Sequence, residues 1–66
     1  MEIIINGQSR RLSGELTVAA LLEELELGNK RIAVERNGEL VPRSQHDKVQ
    51  LTGGDRIEIV QAIGGG

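Results

Sequence analysis

The sequence comprises 66 residues with a formal net charge of −2, and it contains no cysteine, phenylalanine, tryptophan or tyrosine. A chain of about 60 residues buries only about 60% of its unfolded surface, so we expect one domain around a single small aliphatic core. The lack of cysteine excludes a disulfide framework, a thiolate metal site and a cysteine nucleophile. The lack of aromatic rings and of a basic stripe argues against partners such as nucleic acid or a membrane surface.

The first residues, MEIIING, have neither the basic segment nor the long apolar run of a signal peptide. No stretch of the sequence is apolar over the length that a membrane span requires. We therefore expect a cytoplasmic protein.

Two hairpins are predicted from the same dipeptide. An apolar first strand ends at Asn6-Gly7, and both of these residues tolerate the positive φ of a tight hairpin turn. The returning strand is then expected over residues 8–12. The same pattern recurs around Asn37-Gly38 in RIAVERNGELV, which predicts a second hairpin.

One amphipathic helix is predicted between the hairpins. Thr17 is a suitable N-cap, and Gly28 is placed to end the helix at the C′ position. The apolar residues recur at the spacing of one helical stripe. They are Val18, Leu21, Leu22 and Leu25.

The last strand is predicted over RIEIVQ, after a tight turn at residues 53–55. Ile57 and Ile59 alternate with outward positions, as expected of a half-buried strand. The polar segment before that turn is expected to be irregular, with at most one short helical turn. The order β-β-α-β-β-β predicts an α+β fold with one helix on one sheet face, which leaves the other face to solvent or a partner.

A search for an internal catalytic centre finds little. His46 is the only histidine, and its polar surroundings predict an exposed loop position. The acidic cluster at Glu23, Glu24 and Glu26 is typical of a solvated helix face. The GGD sequence at 53–55 lacks the Lys-Ser/Thr of a phosphate loop and opens a strand. The sequence therefore predicts a protein that is not an enzyme.

The glycines at the end of the sequence need another explanation, because glycine loses much backbone freedom on ordering and buries no side chain. We expect a folded domain over residues 1–61 and a flexible glycine tail over residues 62–66. Residues without Cβ atoms can enter a narrow channel. The carboxylate of Gly66 is a poor acyl donor, but adenylation with ATP would activate it, and a sulfur nucleophile could then produce a thiocarboxylate.

Four stretches of the sequence resemble the ThiS family of thiamin-pathway sulfur carriers, which are ubiquitin-like β-grasp proteins of similar length that end in Gly-Gly. The resemblance extends over nearly the whole chain. The stretches are EIIING, TVAALLEEL, VERNGELVPR and GDRIEIVQAIGGG. The resemblance to this family implies a mixed sheet covered on one face by a single helix, with the first and last strands side by side in the middle of the sheet.

The resemblance also implies a function and a set of partners. An E1-like adenylyltransferase would use ATP and magnesium to adenylate Gly66, and the chain itself would bind no cofactor or metal. A cysteine desulfurase or sulfurtransferase relay would supply the sulfur, and thiazole synthase would accept it. Ile63, Gly64, Gly65 and Gly66 would enter the active sites of these partners.

A partner surface is predicted from the strand alternation. If Ile57 and Ile59 face the helix, Val60 points outward, and Ile4 does so in the first strand. Adjacent strands would then join Ile4 and Val60 in one apolar patch, although scattered apolar surface residues are equally compatible. We expect Arg36 and Arg43 to be mainly solvated, with acidic partner residues as the alternative.

Three alternatives remain open. The small subunit of molybdopterin synthase also ends in Gly-Gly, but those chains are usually longer and contain aromatic residues. A ubiquitin-like modifier would instead form an isopeptide bond through Gly66. A TGS-like regulatory domain, which is normally embedded in a larger protein, would be a binding module without terminal chemistry.

Overall fold

Five strands and one α-helix make up residues 1–61, the part of the chain that the computed structural model describes. A short 3₁₀ turn at Arg43–Gln45 precedes the last strand. The elements are β1 (Glu2–Ile5), β2 (Gln8–Arg11), α1 (Val18–Glu24), β3 (Ile32–Arg36), β4 (Glu39–Val41) and β5 (Arg56–Gln61). The predicted order β-β-α-β-β-β and the short turn in the polar segment are confirmed.

The five strands form one mixed sheet in the order β2-β1-β5-β3-β4. β1 and β5 run parallel, whereas the other neighbouring strands are antiparallel. The first and last strands are therefore neighbours inside the sheet, as predicted, and β5 has a partner on each side.

The predictions for the tail fall on residues 62–66, outside the described residues. They concern its flexibility and the roles of Ile63, Gly64, Gly65 and Gly66. The division into a domain over residues 1–61 and a tail over residues 62–66 accordingly stays a prediction.

Both hairpins turn on Asn-Gly with positive φ angles. Asn6 and Gly7 have φ of 49° and 84°, and Asn37 and Gly38 have 52° and 87°. Two successive residues in this region form a type I′ turn, whose twist matches that of the flanking strands. β2 ends at Arg11, one residue earlier than predicted, although the Leu12 N–H still donates to the Met1 carbonyl at 2.7 Å.

The helix begins as predicted but ends differently. The Thr17 hydroxyl accepts a hydrogen bond from the Ala20 N–H at 3.1 Å, which confirms the N-cap. The predicted stop at Gly28 is wrong, since the C′ residue is Glu26, with φ of 60°. The Leu27 N–H donates to the Leu22 carbonyl at 2.8 Å, and the Glu26 N–H donates to the Glu23 carbonyl at 3.0 Å, as in a Schellman motif.

A single aliphatic core lies between the helix and one sheet face. Ile57 is fully buried in it and Ile59 is half-buried, whereas Val60 is exposed, so the predicted alternation along β5 is confirmed. The segment before β5 contributes Leu51 to the same core. Its buried members are Ile3, Leu12, Val18, Leu21, Leu22, Val34, Val41, Leu51 and Ile57.

Replacing Glu26 by glycine is expected to stabilise the protein, because a side chain in the left-handed region is strained and glycine is not. We expect the free energy of unfolding to rise by about 0.5–1 kcal/mol in urea titrations. The same change at Glu24, an exposed glutamate at the end of the helix, should lower it by about 1 kcal/mol. An E26G protein no more stable than the original chain would contradict this.

Candidate functional site

The candidate site depends on how β5 brings the chain to residues 62–66. Gln61, the last described residue, is paired with Ile32 of β3. Earlier in the strand, Ile57 is paired with Ile5 of β1. The segment that contains Gly66 therefore follows directly from an internal strand, and its starting point is fixed by the sheet.

The predicted apolar patch of Ile4 and Val60 is not continuous. Both residues belong to the sheet face opposite the helix, and Val60 is 62% exposed. The register, however, pairs Ile4 with Arg56, and Val60 lies four residues further along β5. At about 3.3 Å per residue these positions are about 13 Å apart. Val60 instead lies opposite Ala33 of β3.

Carboxylates separate the apolar side chains on this open face. Glu58 of β5 lies directly opposite Glu35 of β3, and Glu35 lies opposite Leu40 of β4. Like charges at opposed positions of neighbouring strands destabilise a sheet. Leu40 and Val60 are also the most exposed large apolar residues among those described, at 64% and 62%. The open face therefore combines apolar exposure with unfavourable charge placement.

A buried carboxylate holds the beginning of β5. Asp55 is 6% exposed and accepts hydrogen bonds from Arg36 Nε at 2.9 Å, Asn37 Nδ2 at 3.1 Å and the Thr52 N–H at 2.8 Å. Burial raises the pKa of Asp55, but the hydrogen bonds from Thr52, Arg36 and Asn37 and the charge of Arg36 outweigh it, so its pKa lies below the ordinary value. Asp55 is therefore charged at neutral pH.

This network corrects the expectation of a mainly solvated Arg36, because its Nε donates to Asp55 and two thirds of its side chain is buried. Its guanidinium forms a salt bridge with Asp55 inside the domain. Arg43 is exposed, and it donates to the Lys30 carbonyl at 3.2 Å. No sequence signal pointed to the Arg36–Asp55 pair, because its members are far apart in the chain and meet only through the register of β3 and β5.

The expected exposed position of His46 is also wrong. The residue is only 8% exposed, and its Nε2 donates to the Val41 carbonyl at 3.0 Å. Its own carbonyl accepts from the Ala19 N–H at 2.8 Å, in the first turn of the helix. His46 therefore connects β4 to the helix and has a structural role.

The rest of residues 1–61 offers no metal centre. No group of three or more metal-ligating side chains is found there. Glu23, Glu24 and Glu26 are all exposed, which confirms the prediction of a solvated acidic helix face. No helix in the same range is long and apolar enough to cross a membrane.

A mixed five-stranded sheet with parallel first and last strands and one covering helix defines a ubiquitin-like β-grasp protein. The structure matches the crystal structure of the thiamine biosynthesis protein ThiS from Geobacter metallireducens with a TM-score of 0.86, at 32% identity and with both chains fully covered. The sequence profile of the ThiS family matches residues 3–66. The chain belongs to the ThiS family.

Relatives of two kinds are similar to this chain. The sulfur carrier protein ThiS of Escherichia coli is 35% identical, and the match covers both chains completely. The thiazole synthases of Paramagnetospirillum magneticum and Magnetococcus marinus are 48% and 38% identical over all 66 residues of this chain. The chain spans about a fifth of the length of these two synthases.

Replacing Asp55 by asparagine is expected to lower the free energy of unfolding at pH 7 by about 1–3 kcal/mol, because Arg36 loses a charged acceptor. Since the pKa of Asp55 is lowered on folding, the stability it contributes is present above its ordinary value of 3.8 and is lost as the pH falls through the folded value. The difference between D55N and the original chain should therefore shrink at acidic pH.

Urea titrations at pH 7 and pH 3 measure this difference. The matched control is Asp47→Asn, since Asp47 is exposed and its change should stay within about 0.5 kcal/mol at both values. An equal effect of D55N at the two pH values would contradict a stabilising charge.

Proposed function

We propose that this chain is a sulfur carrier in thiamine biosynthesis and that it carries sulfur as a thiocarboxylate on Gly66. Membership of the ThiS family and full-length similarity to the sulfur carrier of Escherichia coli support this proposal. The structural observation that carries it is the direct continuation of the internal strand β5 into residues 62–66. In this role the chain is a cosubstrate rather than a catalyst.

The proposed chemistry takes place on the carboxylate of Gly66. In the active site of an E1-like adenylyltransferase, a carboxylate oxygen attacks the α-phosphorus of magnesium-bound ATP, and pyrophosphate leaves. The terminal sulfur of a persulfide, supplied by a cysteine desulfurase or sulfurtransferase, then displaces AMP and forms an acyl disulfide. A thiol cleaves this disulfide and releases the thiocarboxylate. ATP and magnesium belong to the activating partner in this scheme.

Thiazole synthase is the proposed acceptor of the sulfur. Two thiazole synthases include a stretch similar to all of this chain, at 48% and 38% identity. When the stretch similar to this chain and the rest of the synthase are on one polypeptide, each is at a high effective concentration for the other, which favours direct transfer of sulfur between them. The glycines at 64–66 suit entry into the synthase, because they present no side chain to a narrow channel.

The open sheet face is the proposed contact surface for the adenylyltransferase. Val60 lies immediately before Gln61 and is exposed, so a partner that receives residues 62–66 would cover it. Ile4 belongs to the same face but lies about 13 Å away, so we propose it as a second contact rather than as part of one patch.

Thiocarboxylate formation tests the proposed function directly. The chain is incubated with an E1-like adenylyltransferase, Mg-ATP and a persulfide source, and the intact protein and its C-terminal peptide are weighed by mass spectrometry. We expect one oxygen of Gly66 to be replaced by sulfur. Variants that lack Gly66, or carry one residue after it, should fold normally and remain unmodified. Thiazole formation by a variant without Gly66 would contradict the role of this residue.

A charge at Val60 is expected to weaken binding to the adenylyltransferase. We expect V60E to raise the Kd about tenfold or more, because it places a carboxylate in a desolvated contact next to Glu58. Titration calorimetry measures the affinity, and unfolding curves should be unchanged because the side chain is exposed. Gln50→Glu is the control for an added charge, since Gln50 is exposed and pairs with Thr17, the N-cap of the helix, rather than lying on the open sheet face. Unchanged affinity of V60E would remove Val60 from the contact surface.

A further inference from the structure

β1 does not extend along the whole of β5, so the last residues of β5 have no neighbouring strand on that side. β1 is paired with β5 only through Ile4 with Arg56 and Ile5 with Ile57. After Ile5 the chain turns away at Asn6-Gly7, and the Asn6 N–H donates to the Ile57 carbonyl at 2.9 Å. The backbone of Ile59, two residues further along β5, is therefore beyond the reach of the backbone of β1.

The side chain of Asn6 takes the place of the missing strand. Its Oδ1 accepts a hydrogen bond from the Ile59 N–H at 2.8 Å, and its Nδ2 donates to the Ile59 carbonyl at 3.3 Å. An amide side chain that bonds both polar backbone groups of one residue acts as a substitute peptide group. It extends the hydrogen bonding on the β1 side of β5 by one step, towards Gln61.

We infer that Asn6 is a positioning residue for the carried carboxylate. By holding Ile59 against the sheet, it keeps the last residues of β5 from fraying and so fixes where residues 62–66 leave the domain. A misplacement of about 1 Å at a reacting group costs up to about a hundredfold in rate. The loss of this contact therefore slows the adenylation of bound carrier without changing the open sheet face. The inference rests on the proposed function.

The chain contains its own control for this role. Asn37 occupies the same position in the second hairpin, with φ of 52° against 49° for Asn6. Its Oδ1 accepts a hydrogen bond from the Arg56 N–H at 2.9 Å, at the opposite end of β5. Asn37 also donates to the buried carboxylate of Asp55. Loss of the Asn37 side chain is therefore expected to lower the free energy of unfolding at least as much as loss of the Asn6 side chain. The contacts that it removes, however, lie at the end of β5 far from residue 61.

The experiment compares Asn6→Gly with Asn37→Gly, since glycine keeps the positive φ of both turns and each change removes the same side chain. The rate of adenylation by the E1-like adenylyltransferase is measured against carrier concentration, which separates kcat from KM. We expect N6G to lower kcat about tenfold with KM within about twofold, whereas N37G leaves kcat within about twofold. Hydrogen exchange of the Ile59 amide should be accelerated in N6G under native conditions.

A second variant, Asn6→Asp, keeps the acceptor for the Ile59 N–H and the turn-forming side chain but loses the donor, so its kcat should lie between those of N6G and the original chain. An unchanged kcat in N6G would overturn the inference. The inference would also be overturned if kcat fell in both N6G and N37G in proportion to their loss of stability, because that result indicates a structural role only. If the original chain is not adenylated, the proposed function fails and the inference fails with it.

Discussion

The parallel pairing of β1 with β5 is the contact on which the rest of the fold depends. It joins the two ends of the described chain, and closing so long a loop is entropically costly. The burial of Ile3 and Ile57 beneath the helix offsets this cost, because both side chains are completely removed from water. β3 pairs with the other edge of β5 from Ile57 to Gln61, whereas β1 pairs with β5 only at Arg56 and Ile57. The strand that leads to residues 62–66 is thus an internal strand of the sheet.

The helix covers only one face of the sheet, so the other face is exposed to solvent. One helix with a three-residue buried stripe covers a single face, and the aliphatic core fills the space beneath it. The other face presents Val60 and Leu40 to solvent and places Glu58 opposite Glu35. A domain of this size has little stability to lose, and this face contributes less than a neutral sheet surface would. Under the proposed function, a partner that covered Val60 would remove part of this exposed apolar surface from water.

Most of the fold could be predicted because its signals are local. The Asn-Gly turns, the cap at Thr17 and the stripe that begins at Val18 depend on neighbours within about four residues, and all are confirmed. The predictions that were wrong depend on contacts between residues far apart in the chain, or on a choice between neighbouring residues that could each end the helix. His46 is buried because β4 and the helix meet there, and the C′ residue is Glu26 rather than Gly28, with Leu27 packed against the core after it.

For the candidate site, the proposed role of Gly66 was suggested by composition and resemblance, whereas the geometry of the strand that leads to it was not. The patch of Ile4 and Val60 failed because the face of a residue follows from alternation, but its distance from another strand follows only from register. In the proposed function the same carboxylate is offered to several active sites, so the groups that activate it would reside in the partners. What remains for this domain is to fix where the tail begins. Asn6 holds one side of the end of β5 and β3 holds the other, so under the proposed function the contribution of this domain to the reaction rate is geometric.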